Sequence, residues 1–297
     1  MSETLWTTVG LRGVDFGPRT EAVLGPDLSL LKANESLRCA GDLLVMSKVQ
    51  HDAMRRCPWF LVQRTVAAAG RSNDANKCTE SLQDALMALQ IVKPIETDGF
   101  IFQGDEWSAD KIDWHGTHIR WPMSGGQWAR LRLFDALLLT KAESILERVQ
   151  AVMAGTVIAM KNAVHLLQLA LEHPHPYVAC LLAVTGLEAV FDSNDRWDFE
   201  TKLCDLLGPS TLAFPDWNSP DFPPLPYTVK DLAVHLYTLR SKVAHGADLR
   251  DAIHDKNSPV DLLQLREYIP STEPVRYAML LGESSIYLLG RVLQRVI

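Results

Sequence analysis

Residues Tyr227 to Gly246 read YTVKDLAVHLYTLRSKVAHG, and the rest of the chain is arranged around them. Thr228, with Asp231 three residues on, has the spacing of a capping box at a helix start. Leu232, Val234, Leu236, Leu239 and Val243 repeat at an amphipathic helical spacing. Gly246 stands where a left-handed residue ends a helix. The closing turn carries Arg240, Ser241, Lys242 and His245. A helix C-terminus attracts cations, so a solvated basic end accounts for these residues without any chemistry. On an ideal helix, five residues turn the chain by roughly 500°, leaving Arg240 and His245 about 140° apart. One helix therefore converges them poorly, and a second copy across a two-fold axis is another way to build a composite site.

The flanking chain reads as helices punctuated by clear breaks. Gln127 to His173 carries apolar residues throughout at helical spacing, with Gly155 and Thr156 as the break. Pro174 and Pro176 stop that run. Tyr177 to Phe191 reads as a buried helix, Asp192 to Asp195 as a turn, and Arg196 to Leu207 as a short amphipathic helix ended by Gly208. Pro274 opens a last helix. Residues 209–226, rich in proline with Trp217 and Phe222, read as a loop packed by its aromatics. Residues 253–269 are left as helix or loop.

Before Gly126 the composition differs. Six glycines and prolines in the first 26 residues point to turns or short strands. Asp27 to Arg56 and Trp59 to Ala69 are read as helical, as is Asn73 to Val92, which Pro94 ends. Residues 94–126 hold Trp107, Trp114 and Trp121 among glycines, as strand pairs or an irregular packed loop. The expected organisation is an N-terminal module, 1–126, and a helical domain, 127–297. The expected class is mainly α, with short strands allowed in the first module.

At 297 residues the chain can bury one large core or two ordinary ones. A net charge of -7 leaves no overall electrostatic footprint for nucleic acid, so any such site must be local. Cys39, Cys57, Cys78, Cys180 and Cys204 are scattered without a C-x-x-C pair, which fits reduced, buried thiols. No signal sequence or membrane span is read, so the expected location is cytoplasmic. His173, His175 and Cys180 lack a fourth metal ligand. His115 and His118 read as packing or surface residues, and the tryptophan series ending at Trp128 reads as core rather than a base-stacking row. Asp192, Asp195 and Asp198 read as a turn with helix-capping aspartates.

Upstream of the key helix, residues 186–208 read GLEAVFDSNDRWDFETKLCDLLG. Together with LYTLRSKVAHG, residues 236–246, this resembles the Apea-like branch of the HEPN superfamily over roughly residues 145–297. The resemblance implies an α-helical bundle that pairs through the helix at 228–246. It also implies a metal-independent endoribonuclease, without cofactor, in bacterial defence or a toxin-like stress response. It carries Arg240 and His245 over as catalytic residues, and Ser241, Lys242 and Glu188 as substrate-binding or supporting residues, with Glu188 orienting Arg240. RNA is the implied substrate, and an antitoxin-like regulator an implied partner. Other members of the superfamily bind RNA, nucleotides or proteins without cleaving, which is the alternative reading.

Overall fold

The computed structural model describes residues 3–33, 55–67, 71–104, 116–119, 134–173, 175–193, 195–213, 227–246 and 274–297, with single positions 48 and 52. The chain forms two compact units, Met1–Ala129 with Leu133–Gln150, and Arg130–Arg132 with Ala151–Ile297. Residues 133–150 thus cluster with the first unit, although the composition changes at Gly126.

The first unit is built on a sheet, which corrects the mainly-α expectation: the chain is mixed α/β. Its strands are β1 (Glu3–Arg12), β2 (Glu21–Gly25), β3 (Leu28–Lys32), β4 (Trp59–Ala67), β5 (Glu96–Gly104) and β6 (Gly116–Ile119), in the order β2-β3-β4-β1-β5-β6. Every neighbouring pair is antiparallel. Two segments read as helical are therefore strands. Leu28–Lys32 follows the tight turn at Pro26 and Asp27, and Trp59–Ala67 lies near the centre of the sheet. Trp59, Phe60, Leu61 and Val62 are all buried, on both faces of the strand. A strand covered on both sides has a continuous apolar run and loses its alternation.

Helix α1 (Arg71–Val92) packs on β1 and β4 through Leu82, Leu86 and Leu89, all buried. Polar contacts hold its middle against the sheet: Ser81 Oγ donates to Gln63 Oε1 at 2.9 Å, and Gln103 Nε2 to Thr79 Oγ1 at 2.6 Å. At its end Gln90 clamps Ile95, donating to its carbonyl and accepting from its N–H, both at 2.9 Å. On the opposite face, β1 narrows at Gly10. A Cβ there would lie 2.5 Å from Asp98 Oδ2 and 2.6 Å from Cys57 Sγ. These two belong to a buried polar group with Arg12 and Glu96. Burial, reinforced by Asp98, pushes the Cys57 thiol up to about 12, against the pull of Arg12. After the sheet, Phe134 bonds back to Gly13 and Asp15, and Asp135 caps helix α2 (Ala136–Ala154) through the N–H groups of Leu137 and Leu138.

The second unit is helical: α3 (Ile158–Glu172), α4 (Pro176–Phe191), α5 (Arg196–Leu207), α6 (Val229–Ala244) and α7 (Pro274–Val296). These follow the breaks at Gly155, Pro174, Asp192 and Gly208. Helix α4 is the centre, in contact with the other four. Gly186 permits this closeness, since a Cβ there would sit 2.7 Å from Leu289 Cδ2 and 3.5 Å from Leu166 Cβ. Cys57, Cys78 and Cys180 are buried thiols outside any disulfide, and Cys204 is half-buried. Cys39, the 105–115 and 120–133 tryptophan segments, residues 214–226 and residues 253–269 lie outside the described residues. No single helix among the described residues is long and apolar enough to cross a membrane; α2 and α3 pass on composition only as a pair, bent by 119°.

Candidate functional site

Helix α6 starts with the expected box. Thr228 N–H donates to Asp231 Oδ2 at 2.9 Å, and Asp231 N–H to Thr228 Oγ1 at 3.3 Å. Its end is also as expected. The His245 N–H reaches Ser241 O at 3.0 Å, and Gly246 takes a left-handed φ of 73° that a glycine adopts without strain. The buried face carries Leu232, Ala233, Leu236 and Leu239, so the register of the motif is set by the core.

The start of α6 is tied to the end of α5, with Lys230 N–H bonded to Pro209 O at 3.2 Å and Val229 N–H to Thr211 O at 2.8 Å. Phe199, near the start of α5, meets Tyr237 with ring centroids 5.5 Å apart. The two helices therefore run antiparallel. The end of α4 is held in the same corner. Lys202 Nζ donates to Phe191 O at 2.9 Å and pairs with Asp198 at 2.8 Å. Asp195 accepts the Asp198 N–H and caps α5. Asp195 and Asp198 are thus used in capping and ion pairing, in keeping with the capping reading. Lys202 was not singled out in the sequence, although lysine facing a helix C-terminus is its physical signal.

This corner places Glu188 of α4 against Arg240 of α6. Arg240 Nη2 lies 2.8 Å from Glu188 Oε2, with the side chains 29% and 12% exposed. Burial raises the Glu188 pKa, and the Arg240 charge and hydrogen bond act against that rise. Arg240 Nε is also buried and makes no hydrogen bond among the described residues. The guanidinium is thereby aimed by a carboxylate from another helix. His245 is at the other extreme: it is exposed, five residues further on. Ser241 and Lys242 are half-buried in the turn between them. The structure brings Arg240 and Glu188 together; it leaves His245 facing solvent, as the five-residue offset requires.

A second histidine on α6 has a structural part. His235 is buried. Desolvation lowers its pKa from 6.5 to about 4, with Asp231 pulling weakly upward. The fold therefore favours the neutral ring. Its contribution is complete above the ordinary pKa and is lost as pH falls towards 4, amounting to about 3 kcal/mol at most. Burial also raises Asp84, to about 6, and Glu188, and protonating those two relieves the fold. The wild-type acid curve mixes these opposite signs. The expected result is that His235→Gln loses less stability than wild type between pH 7 and 4.5, measured by thermal melting at each pH.

Among the described residues, no group of three or more His, Cys, Asp or Glu is placed to hold a metal ion. The His173 ring accepts the His175 N–H at 3.1 Å, and both residues are exposed. Compared with protein-family models, with curated proteins and with solved structures, the chain matches none of them.

Proposed function

We propose that the chain is an endoribonuclease of the HEPN type, acting on the RNA phosphodiester without a metal ion. The observation that carries the reading is the ion pair between Arg240 and Glu188, which fixes a guanidinium five residues before an exposed histidine. RNA supplies its own nucleophile, the 2′-hydroxyl. His245 takes the 2′ proton or gives one to the leaving 5′ oxygen, work suited to an imidazole. Arg240 stabilises the charge that develops on the phosphate oxygens. Glu188 is a positioning residue, and Lys242 and Ser241 border the path of the phosphate. A homodimer through α6 brings the exposed imidazole of one copy to the arginine of the other, and so answers the angular gap between them. Defence or a toxin-like stress response, with a restraining partner, is the setting that the sequence resemblance suggests.

One observation favours a second reading, a non-catalytic HEPN module that binds RNA, a nucleotide or a protein. The Nη2 edge of Arg240 is already engaged by a carboxylate, and Glu188 repels a phosphate that approaches the same edge. Induced expression separates the two. Under the first reading, wild type arrests growth and degrades total RNA, while folded Arg240→Ala, His245→Ala and Glu188→Ala variants do neither. Equal behaviour of all four would defeat it.

A further inference from the structure

Strand β2 is the outer strand at one edge of the sheet. Lys32 N–H bonds Thr20 O at 2.8 Å, which makes residues 20 and 22 the ones whose backbone groups face β3, up to the register shift between Val23 and Gly25. The N–H and C=O groups of Glu21 and Val23 therefore point outward, along an edge that no other strand among the described residues pairs with. Both residues are exposed, Val23 at 58%. An exposed strand edge with open backbone groups templates the addition of another strand unless something blunts it. Glu21–Gly25 holds no proline or lysine; Glu21 brings one charge, and the register with β3 shifts between Val23 and Gly25, so the regular stretch open to pairing is Glu21–Val23.

The same strand opens into a cleft of about 560 Å³ within the first unit. Val23, Leu24 and Asp27 line one side, and Glu143, Leu146 and Glu147 of α2 the other. Among the described residues that line it are three carboxylates and no cationic side chain. Glu143 and Glu147 lie one turn apart, so their carboxylates point the same way. Leu146 and Val23 offer an apolar path to them. A lysine or arginine has the matching form, an aliphatic stem with a charge at its end.

We propose that β2 is a docking edge for an extended, basic segment of a partner protein, which pairs with Glu21 and Val23 and seats a lysine or arginine in the acidic cleft. Strand addition provides affinity through the backbone, and the cleft provides selectivity. This assigns the first unit a recognition role that is independent of Arg240 and His245.

The test uses the full chain and labelled peptides of about nine residues, a usual strand length, alternating Thr and Val with Lys or Arg at each position in turn. Fluorescence anisotropy is expected to show binding for at least one register, with protection of the β2 amides in hydrogen exchange. Placing Glu where the cation stood is expected to weaken binding at least about tenfold. Glu143→Gln with Glu147→Gln has the same expected effect, at an unchanged melting temperature. Val23→Pro removes an outward N–H that β3 does not use, a position where an edge strand accepts proline; it too is expected to abolish binding. A peptide N-methylated on the groups facing β2 repeats that test without altering the protein. No binding in any register overturns the proposal, as does binding that ignores the peptide charge or the blocked edge.

Discussion

His245→Ala is expected to lower RNA cleavage by about 10²–10⁴-fold, the range for loss of a positioned acid or base, while leaving the melting temperature unchanged. The fold is unaffected because of where the side chain lies. The side chain is exposed, and the bond that closes the helix is made by the backbone N–H to Ser241, which alanine retains. Arg240 behaves differently. Arg240→Ala removes the partner of a carboxylate that is only 12% exposed, so cleavage and fold stability fall together, the latter by about 1–3 kcal/mol. Arg240→Lys keeps the charge near Glu188 but loses the planar fork, and is expected to hold the fold while losing most of the activity. Initial rates on a labelled RNA, with melting curves of each variant, check all three. A His245→Ala protein as active as wild type would remove the histidine from the chemistry.

The second large effect is in the other unit. Gly10→Ala is expected to destabilise the sheet unit by about 3 kcal/mol, the upper end for overpacking a filled core. The added methyl group would stand 2.5 Å from Asp98 Oδ2 and 2.6 Å from Cys57 Sγ, both on buried residues. Neither can retreat as a loose surface chain does. Gly186 is a useful contrast, because only a terminal methyl of Leu289 lies closer than 3 Å there, and alanine gains helix propensity over glycine. Adding Cys57→Ala to Gly10→Ala removes one of the two obstacles and is expected to restore part of the loss, read by urea unfolding of single and double variants. Additive effects would show that the thiol is not part of the obstruction.

The helical unit was legible because its boundaries are chemical. Pro176, Asp195, Gly208, Thr228 with Asp231, and Gly246 each mark an end that the structure retains. The Glu188–Arg240 pair was legible only through resemblance, since 52 positions separate the two and helix packing alone brings them together. The sheet unit was misread for a specific reason. Trp59–Ala67 is buried on both faces over its first residues, so its apolar run has no alternation, and periodicity does not separate such a strand from a helix. The better signals were local: the turn residues Pro26 and Asp27 between two short segments, and the β-branched Val62, Thr65 and Val66. The acidic cleft had no sequence signal at all, because residues 23–28 and 143–150 meet only in the folded unit.

The chemistry of the product ends tests the central claim most directly. Purified wild-type protein is incubated with a labelled RNA in excess chelator, beside His245→Ala, and the termini are mapped. The account predicts cleavage that persists in chelator, is lost in the variant, and leaves 2′,3′-cyclic phosphate and 5′-hydroxyl ends. Cleavage abolished by chelator, or products carrying 5′-phosphate, would contradict it.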